Sequence, residues 1–133
     1  MKLSEAFGVN KDLEINGVWF VFKGMEFLIA RLGNPKFKSL YRKGLEANQV
    51  QVQFGGEEDH SELYMDCVSK AVLLDWKGVD GEDGKPMPYS PAEGLKAMKA
   101  EQLFYEFVIA SSNRLDIYKT QTLDRTEKNS RKP

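Results

Sequence analysis

The first apolar pattern in the chain is that of a β-hairpin. Leu13–Ile15 and Val18–Phe22 are rich in β-branched and aromatic residues and are interrupted by Asn16-Gly17. Lys23-Gly24 then separates the second of these runs from Met25–Leu32. Two apolar runs around a short glycine-containing turn predict an antiparallel hairpin. The run after the turn is also compatible with a short helix, but a glycine at each of its ends favours a strand.

A helical period follows at Asn34-Pro35. Asparagine is suited to the N-cap position and proline to the first helical position. Apolar residues then recur at helical spacing, and the outer face is basic. The apolar positions are Phe37, Leu40, Tyr41, Gly44 and Leu45, and the basic positions are Lys36, Lys38, Arg42 and Lys43. The polar, glycine-rich stretch Gln49–Asp59 is predicted to be a connector.

A second helix is predicted to begin near Ser61. Its apolar positions form one stripe with further apolar residues beside it, namely Leu63, Cys67, Ala71 and Leu74, flanked by Tyr64, Val68 and Val72. The pattern ends around Trp76-Lys77-Gly78. Because glycine adopts positive φ at little cost, Gly78 is predicted to supply the left-handed turn at the end of this helix.

The stretch Asp80–Pro91, DGEDGKPMPYSP, is predicted to connect two helices. Its glycines allow turns and its prolines stiffen the approach to the next helix. Met87 and Tyr89 are its two large side chains. Attachment of these side chains to the core is favoured over contact with a partner, but both interpretations stay open.

The clearest local signal is Ser90-Pro91-Ala92-Glu93, which predicts an N-cap, a proline at the first helical position and a capping box. Apolar residues continue at helical spacing to about Lys119. One helix or two can span Pro91–Lys119, because Lys99-Ala100-Glu101 contains no helix breaker. Residues 120–133 lose the apolar period and are predicted to be a disordered, flexible tail.

Composition and charge narrow the class of protein. The length of 133 residues fits one domain, which the pattern places at 1–119. Charged residues are balanced at 19 basic against 20 acidic, which gives no electrostatic footprint for nucleic acid. A single cysteine excludes an intrachain disulfide and favours a reducing compartment. Without a long apolar run or a signal peptide, we expect a soluble intracellular protein that contacts no membrane.

Candidate catalytic and metal-binding chemistry is weak. A calcium loop starting at Asp80 would have Gly84 in its fifth position and Pro91 in its twelfth, where oxygen ligands are needed. His60 is the only histidine and lies in the acidic run 57–60, which is typical of a solvated charge cluster. Cys67 lies on an apolar helical stripe, which favours core packing over a reactive thiol. We therefore expect no cofactor, no metal and no enzymatic activity.

Several segments together resemble the tail assembly chaperones of long-tailed bacteriophages. The segments are "AVLLDWKGV", the loop and capping box "DGEDGKPMPYSPAEGLKAM", the helix "LFYEFVIASSNRLDIY" and the tail "EKNS". The N-terminal "VWFVFKGMEFLIARLGNPKF" is similar to the hairpin of that family and to its helix opening on Gly-Asn-Pro. The likeness covers most of Leu13–Ser130, and the acidic connector Gly55–His60 departs from it.

The resemblance implies a non-catalytic protein of α+β class, mainly α-helical, with an N-terminal β-hairpin followed by three or four helices. Such a chaperone binds the phage tape measure protein, keeps it soluble and promotes polymerisation of the tail tube protein around it. It acts in the host bacterial cytoplasm and is absent from the mature virion. A homo-oligomer is a further candidate partner, and the oligomeric state stays open. The candidates for partner contact are Trp76, Met87, Tyr89 and Phe104.

The resemblance also implies a longer form made by ribosomal frameshifting. Glu127-Lys128-Asn129 can be encoded GAA-AAA-AAC, which contains the slippery string A-AAA-AAC, so Lys128 and Asn129 mark the candidate position. Ordinary codon choice is the alternative, and the gene sequence decides between them. Two other functions stay open. One is a structural virion protein of the head–tail junction or tail terminus, and the other is a small nucleic-acid-binding regulator that uses the basic face of Lys36–Lys43.

Overall fold

A three-stranded antiparallel sheet and a set of helices make up the fold. The computed structural model describes residues 1–53 and 60–119. The helices in this range are α1 (Leu3–Phe7), α2 (Lys11–Asn16), α3 (Pro35–Gln53), α4 (Ser61–Ala71), α5 (Pro91–Ala100), α6 (Gln102–Ser112) and α7 (Leu115–Tyr118), and the strands are β1 (Val18–Phe22), β2 (Met25–Ile29) and β3 (Leu73–Lys77). The predicted α+β class, mainly helical with an early hairpin, is confirmed. The tail predicted at 120–133 lies outside the described residues.

The hairpin is formed by β1 and β2, with Phe20 opposite Phe27. The two turn residues both have positive φ, 51° at Lys23 and 82° at Gly24. Such turns match the right-handed twist of the flanking strands, which explains why this short connection forms a hairpin. The strand prediction for the second run is therefore confirmed over Met25–Ile29.

The prediction that Leu13–Ile15 forms part of the β-hairpin is wrong, because these residues lie in α2. The Asn10 side chain accepts a hydrogen bond from the Leu13 N–H at 3.1 Å, which caps the helix. Gly17, with φ 84°, ends it. The local capping chemistry therefore outweighs the β-branched composition of a run this short.

The prediction that the second helix continues to Trp76 is also wrong. The helix α4 begins at Ser61 as predicted but ends at Ala71, and Leu73–Lys77 forms β3. This strand pairs with β2, placing Trp76 opposite Phe27. Gly78 does have positive φ, 75°, but it ends a strand rather than a helix. The cause is long-range, because β2 supplies hydrogen-bond partners that the local pattern does not reveal.

Helix α3 begins as the sequence predicts. The Asn34 side-chain oxygen accepts a hydrogen bond from the Phe37 N–H at 2.9 Å, and Pro35 is the first helical residue. The helix extends to Gln53, so the part of the predicted connector at residues 49–53 is helical. The remainder, 54–59, lies outside the described residues.

The segment after the loop is divided into separate helices. Ser90 caps α5 by accepting a hydrogen bond from the Glu93 N–H at 3.1 Å. The reciprocal hydrogen bond of a capping box, from the Ser90 N–H to the Glu93 carboxylate, is not found in the described part of the chain. Glu101 is extended, with φ −122° and ψ 96°, and separates α5 from α6. Five helices consequently follow the hairpin in the described ranges, where three or four were expected.

The core lies between one face of the sheet and the helices. Its fully buried apolar residues are Ile29, Val68, Val72, Leu73, Met98 and Val108. Cys67 is buried among them, as predicted. Helix α4 contacts α3, α5 and β3, so it lies at the centre. Among residues 1–53 and 60–119, no helix has the length and apolarity needed to span a membrane.

Candidate partner-binding groove

The Asp80–Pro91 stretch begins with a loop that bonds to itself. The Met87 N–H donates to the Val79 carbonyl at 2.9 Å, and the Gly81 N–H donates to the Lys85 carbonyl at 2.8 Å. Gly84 has φ 77° and its N–H donates to the Gly81 carbonyl. The prediction of a helix–helix connector is corrected, because the loop joins strand β3 to helix α5.

Two aromatic side chains attach the end of this loop to the core. The Trp76 indole Nε1–H donates to the Met87 carbonyl at 2.7 Å. The Tyr89 ring packs edge-on against Trp76, with ring centroids 4.9 Å apart. The Tyr89 hydroxyl lies within hydrogen-bonding distance of the Ser69 carbonyl and, at 2.8 Å, of the Leu73 carbonyl. The loop is thereby fixed to the end of α4 and the start of β3.

The four candidate partner-contact residues lie close together. The Phe104 ring is 6.4 Å from the Trp76 ring and 5.1 Å from that of Phe27. Trp76 is only 5% exposed, whereas Tyr89, Met87 and Phe104 are half-buried. The aromatic side chains thus pack between the loop and the core, and Met87 lies on the side of the loop that is partly open to solvent. Their contact with a partner stays a prediction.

A groove of about 570 Å³ lies between this loop and helix α5. One wall is the apolar part of the loop, and the other is the α5 face that carries two small residues. The apolar lining residues are Val79, Pro86, Met87, Pro88, Ala97 and Ala100. The sequence does not reveal the groove, because the groove exists only where the loop folds back beside α5. The two alanines on α5, Ala97 and Ala100, were the one available signal in the sequence.

The rim of the groove is acidic. Its carboxylates are Asp80, Glu82, Asp83, Glu93 and Glu101, and its cations are Lys85 and Lys96. Five carboxylates against two ammonium groups give a net charge of −3. None of the five carboxylates forms an ion pair within the part of the chain that the structure describes. The nearby cation Lys99 instead pairs with Glu62 on α4.

The groove is not arranged for metal or thiol chemistry. Within the described ranges, no three His, Cys, Asp or Glu residues are placed to hold a metal ion. Burial raises the pKa of the Cys67 thiol, and the nearby Asp66 carboxylate raises it further. A raised pKa favours the protonated thiol, which is a poor nucleophile.

The frameshift positions Lys128 and Asn129 lie outside the described residues.

Two tyrosines, the half-buried Tyr89 and the buried Tyr118, make stability sensitive to alkaline pH. Burial raises the pKa of the Tyr89 and Tyr118 hydroxyls well above the ordinary value. Because the folded-state pKa is raised, the protonated hydroxyls stabilise the folded protein. Their contribution is complete below the unfolded-state pKa of about 10 and is lost as pH rises above it. We expect the free energy of unfolding, measured by urea denaturation, to fall above about pH 10. Tyr118→Phe should make that fall less steep, and an unchanged slope would contradict this account.

The architecture defines an α+β protein with a preformed apolar groove and an acidic rim. Residues 32–129 match the family described as the YdaY prophage protein. The match covers most of the chain, including β3, the loop and α5, so the protein belongs to that family, which is derived from phage. No curated protein and no solved structure matches the chain.

Proposed function

We propose that this protein is a tail assembly chaperone of a long-tailed phage. It binds the tape measure protein in the host bacterial cytoplasm, keeps it soluble and promotes polymerisation of the tail tube protein around it. It does so without catalysis or cofactor and leaves before the virion is complete. Membership of a prophage family supports a phage role, and the resemblance in the loop and the following helix supports the finer assignment.

The groove beside α5 is the observation that carries this proposal. A chaperone for a long helical client needs a preformed apolar surface into which a helix fits. Ala97 and Ala100 lie one turn apart on α5, and their small side chains leave room for the approach of a client helix. The opposite wall is held in place by the Trp76 bond to the Met87 carbonyl.

Co-expression with the tape measure protein of the same phage tests the proposal. We expect the tape measure protein to move from the insoluble to the soluble fraction and to be recovered with the tagged chaperone. The tail tube protein should then polymerise more readily when both are present. A tape measure protein that stays insoluble, with no recovered complex, would contradict the proposal.

A structural virion protein is the second candidate, and one feature of the sheet favours it. Strand β1 is an edge strand, and Val21 and Phe22 on it are 67% and 48% exposed. Apolar edge strands are ready to pair with another chain, as subunits of a ring do. Mass spectrometry of purified particles decides between the two, because a chaperone should be missing and a structural subunit present in fixed copy number.

A further inference from the structure

We propose that the groove between the Val79–Pro88 loop and α5 binds a cationic amphipathic helix, with an apolar seam flanked by Lys or Arg. The assignment of that helix to the tape measure protein rests on the proposed function. The preference for a cationic amphipathic helix follows from the described residues alone.

The shape of the groove fits the apolar seam of one helix. Ala97 and Ala100 on α5 carry no atoms beyond Cβ, so a second helix can approach this face closely. The facing wall offers Val79 and Met87, both half-buried, so each has apolar surface still open to solvent. Methionine adapts to differently shaped apolar side chains, which suits a surface that binds several different segments of a long client.

The charge of the groove selects the flanks of that helix. The rim has a net charge of −3, whereas the whole chain has −1, so the remainder of the chain carries a net +2. The groove is therefore more acidic than the chain as a whole. The rim carboxylates lack ion-pair partners in the described residues, so a cationic helix would meet them without first breaking an internal pair. Complementary charge of this kind sets specificity and the association rate.

A second copy of this chain is the less suitable occupant. Among the described residues, the outer face of α3 offers a basic surface, and its cations Lys36, Lys38, Arg42 and Lys43 are all exposed. The apolar face of α3 is already packed, with the rings of Phe37 and Tyr41 against Tyr64 of α4. Such a helix would offer charge to the rim but no free apolar seam to the walls. A separate amphipathic helix supplies both.

Peptide binding to the full chain tests the inference. The probe is a fluorescent helical peptide with leucines along one seam and lysines at both flanks, and its matched partner has glutamates in place of the lysines. By fluorescence polarisation we expect the lysine peptide to bind at least about tenfold more tightly than the glutamate peptide. The difference should shrink as ionic strength rises toward about 1 M. Equal affinity for the two peptides, or no binding of either, would overturn the proposal.

Variants with matched controls localise the binding. Ala100→Gln places a long side chain in the groove, and Ala110→Gln makes the same change at an exposed position of α6. The double variant Glu82→Lys/Glu101→Lys reverses the rim charge, and Glu5→Lys/Glu46→Lys makes the same change on α1 and α3. All these positions are exposed, so circular dichroism should show unchanged folding.

The two groove variants should each weaken binding of the lysine peptide by about tenfold or more, whereas their controls bind like the parent protein. Equal losses in the groove variants and the controls would overturn the inference. So would sedimentation showing that the groove variants abolish self-association, because the occupant would then be a second copy.

The same variants separate this inference from the proposed function. If the groove variants keep the tape measure protein as soluble as the parent protein does, the chaperone role stands and the groove assignment is wrong. If the parent protein binds the lysine peptide but never the tape measure protein, the groove assignment stands and the proposed function is wrong.

Discussion

Replacing Trp76 with alanine is expected to lower the free energy of unfolding by about 3–5 kcal/mol, the range for truncating a buried aromatic residue. The side chain is 5% exposed, packs on Tyr89 and Phe104, and donates to the Met87 carbonyl. Its removal leaves a cavity and frees the end of the loop. Small domains are stable by only about 5–15 kcal/mol, so this is a large share of the total.

Urea denaturation followed by circular dichroism measures the effect, with Trp19→Ala as the matched control. Trp19 is 36% exposed on the other face of the sheet, where the Lys77 ammonium lies 4.2 Å from its ring. We expect the control to lose no more than about 1–2 kcal/mol of unfolding free energy, because an exposed cation–π pair contributes at most about 1 kcal/mol. If Trp76→Ala kept the stability of the parent protein but lost client binding, Trp76 would be a partner contact rather than a support.

Replacing Asn34 with alanine is expected to lower the free energy of unfolding by about 3 kcal/mol. This side chain is 1% exposed and does more than cap α3. Its Nδ2 donates to the carbonyls of Arg31 at 2.7 Å and Ala71 at 2.9 Å, which joins the start of α3 to the end of α4. The lost cap costs about 1 kcal/mol, and the buried Ala71 carbonyl left without its donor costs about 1–3 more. The Arg31 carbonyl keeps one donor, because it also accepts from the Asn34 backbone N–H at 3.3 Å.

Two variants separate the cap from the tie between helices. Asn34→Asp keeps the acceptor for the Phe37 N–H but turns a carboxylate toward two carbonyl oxygens, so it should destabilise at least as much as alanine. Asn10→Ala removes a cap from α2 that has no such tie and should cost only about 1 kcal/mol. Equal effects at positions 10 and 34 in thermal and urea unfolding would show that the tie contributes nothing.

The sequence predicts those elements whose signals are local. The Lys23-Gly24 turn, the Asn34-Pro35 helix start and the Ser90-Pro91 helix start each depend on residues within a few positions, and each is present in the structure. Turn and cap chemistry acts over such short ranges, so a single sequence reveals it.

The errors come from interactions between distant segments. The residues of β3 continue the helical spacing of α4, and only pairing with β2 makes Leu73–Lys77 a strand. The break at Glu101 has no glycine or proline to announce it. The groove depends on both facts, since β3 positions the loop and the break ends the α5 wall at Ala100. The sequence favours attachment of the two large loop side chains to the core, and the packing of Tyr89 on Trp76 agrees with it. The acidic rim is not apparent from the sequence, because Glu93 and Glu101 join the loop carboxylates only in the folded chain.

Site-specific photocrosslinking shows whether the groove beside α5 binds the tape measure protein. A p-benzoylphenylalanine at Lys96, on the edge of the groove, is compared with the same residue at Lys36 on the outer face of α3. We expect a crosslink to a lysine- or arginine-flanked apolar segment of the tape measure protein from position 96 and none from position 36. Crosslinks from position 36 alone, or from neither position in a verified complex, would contradict it.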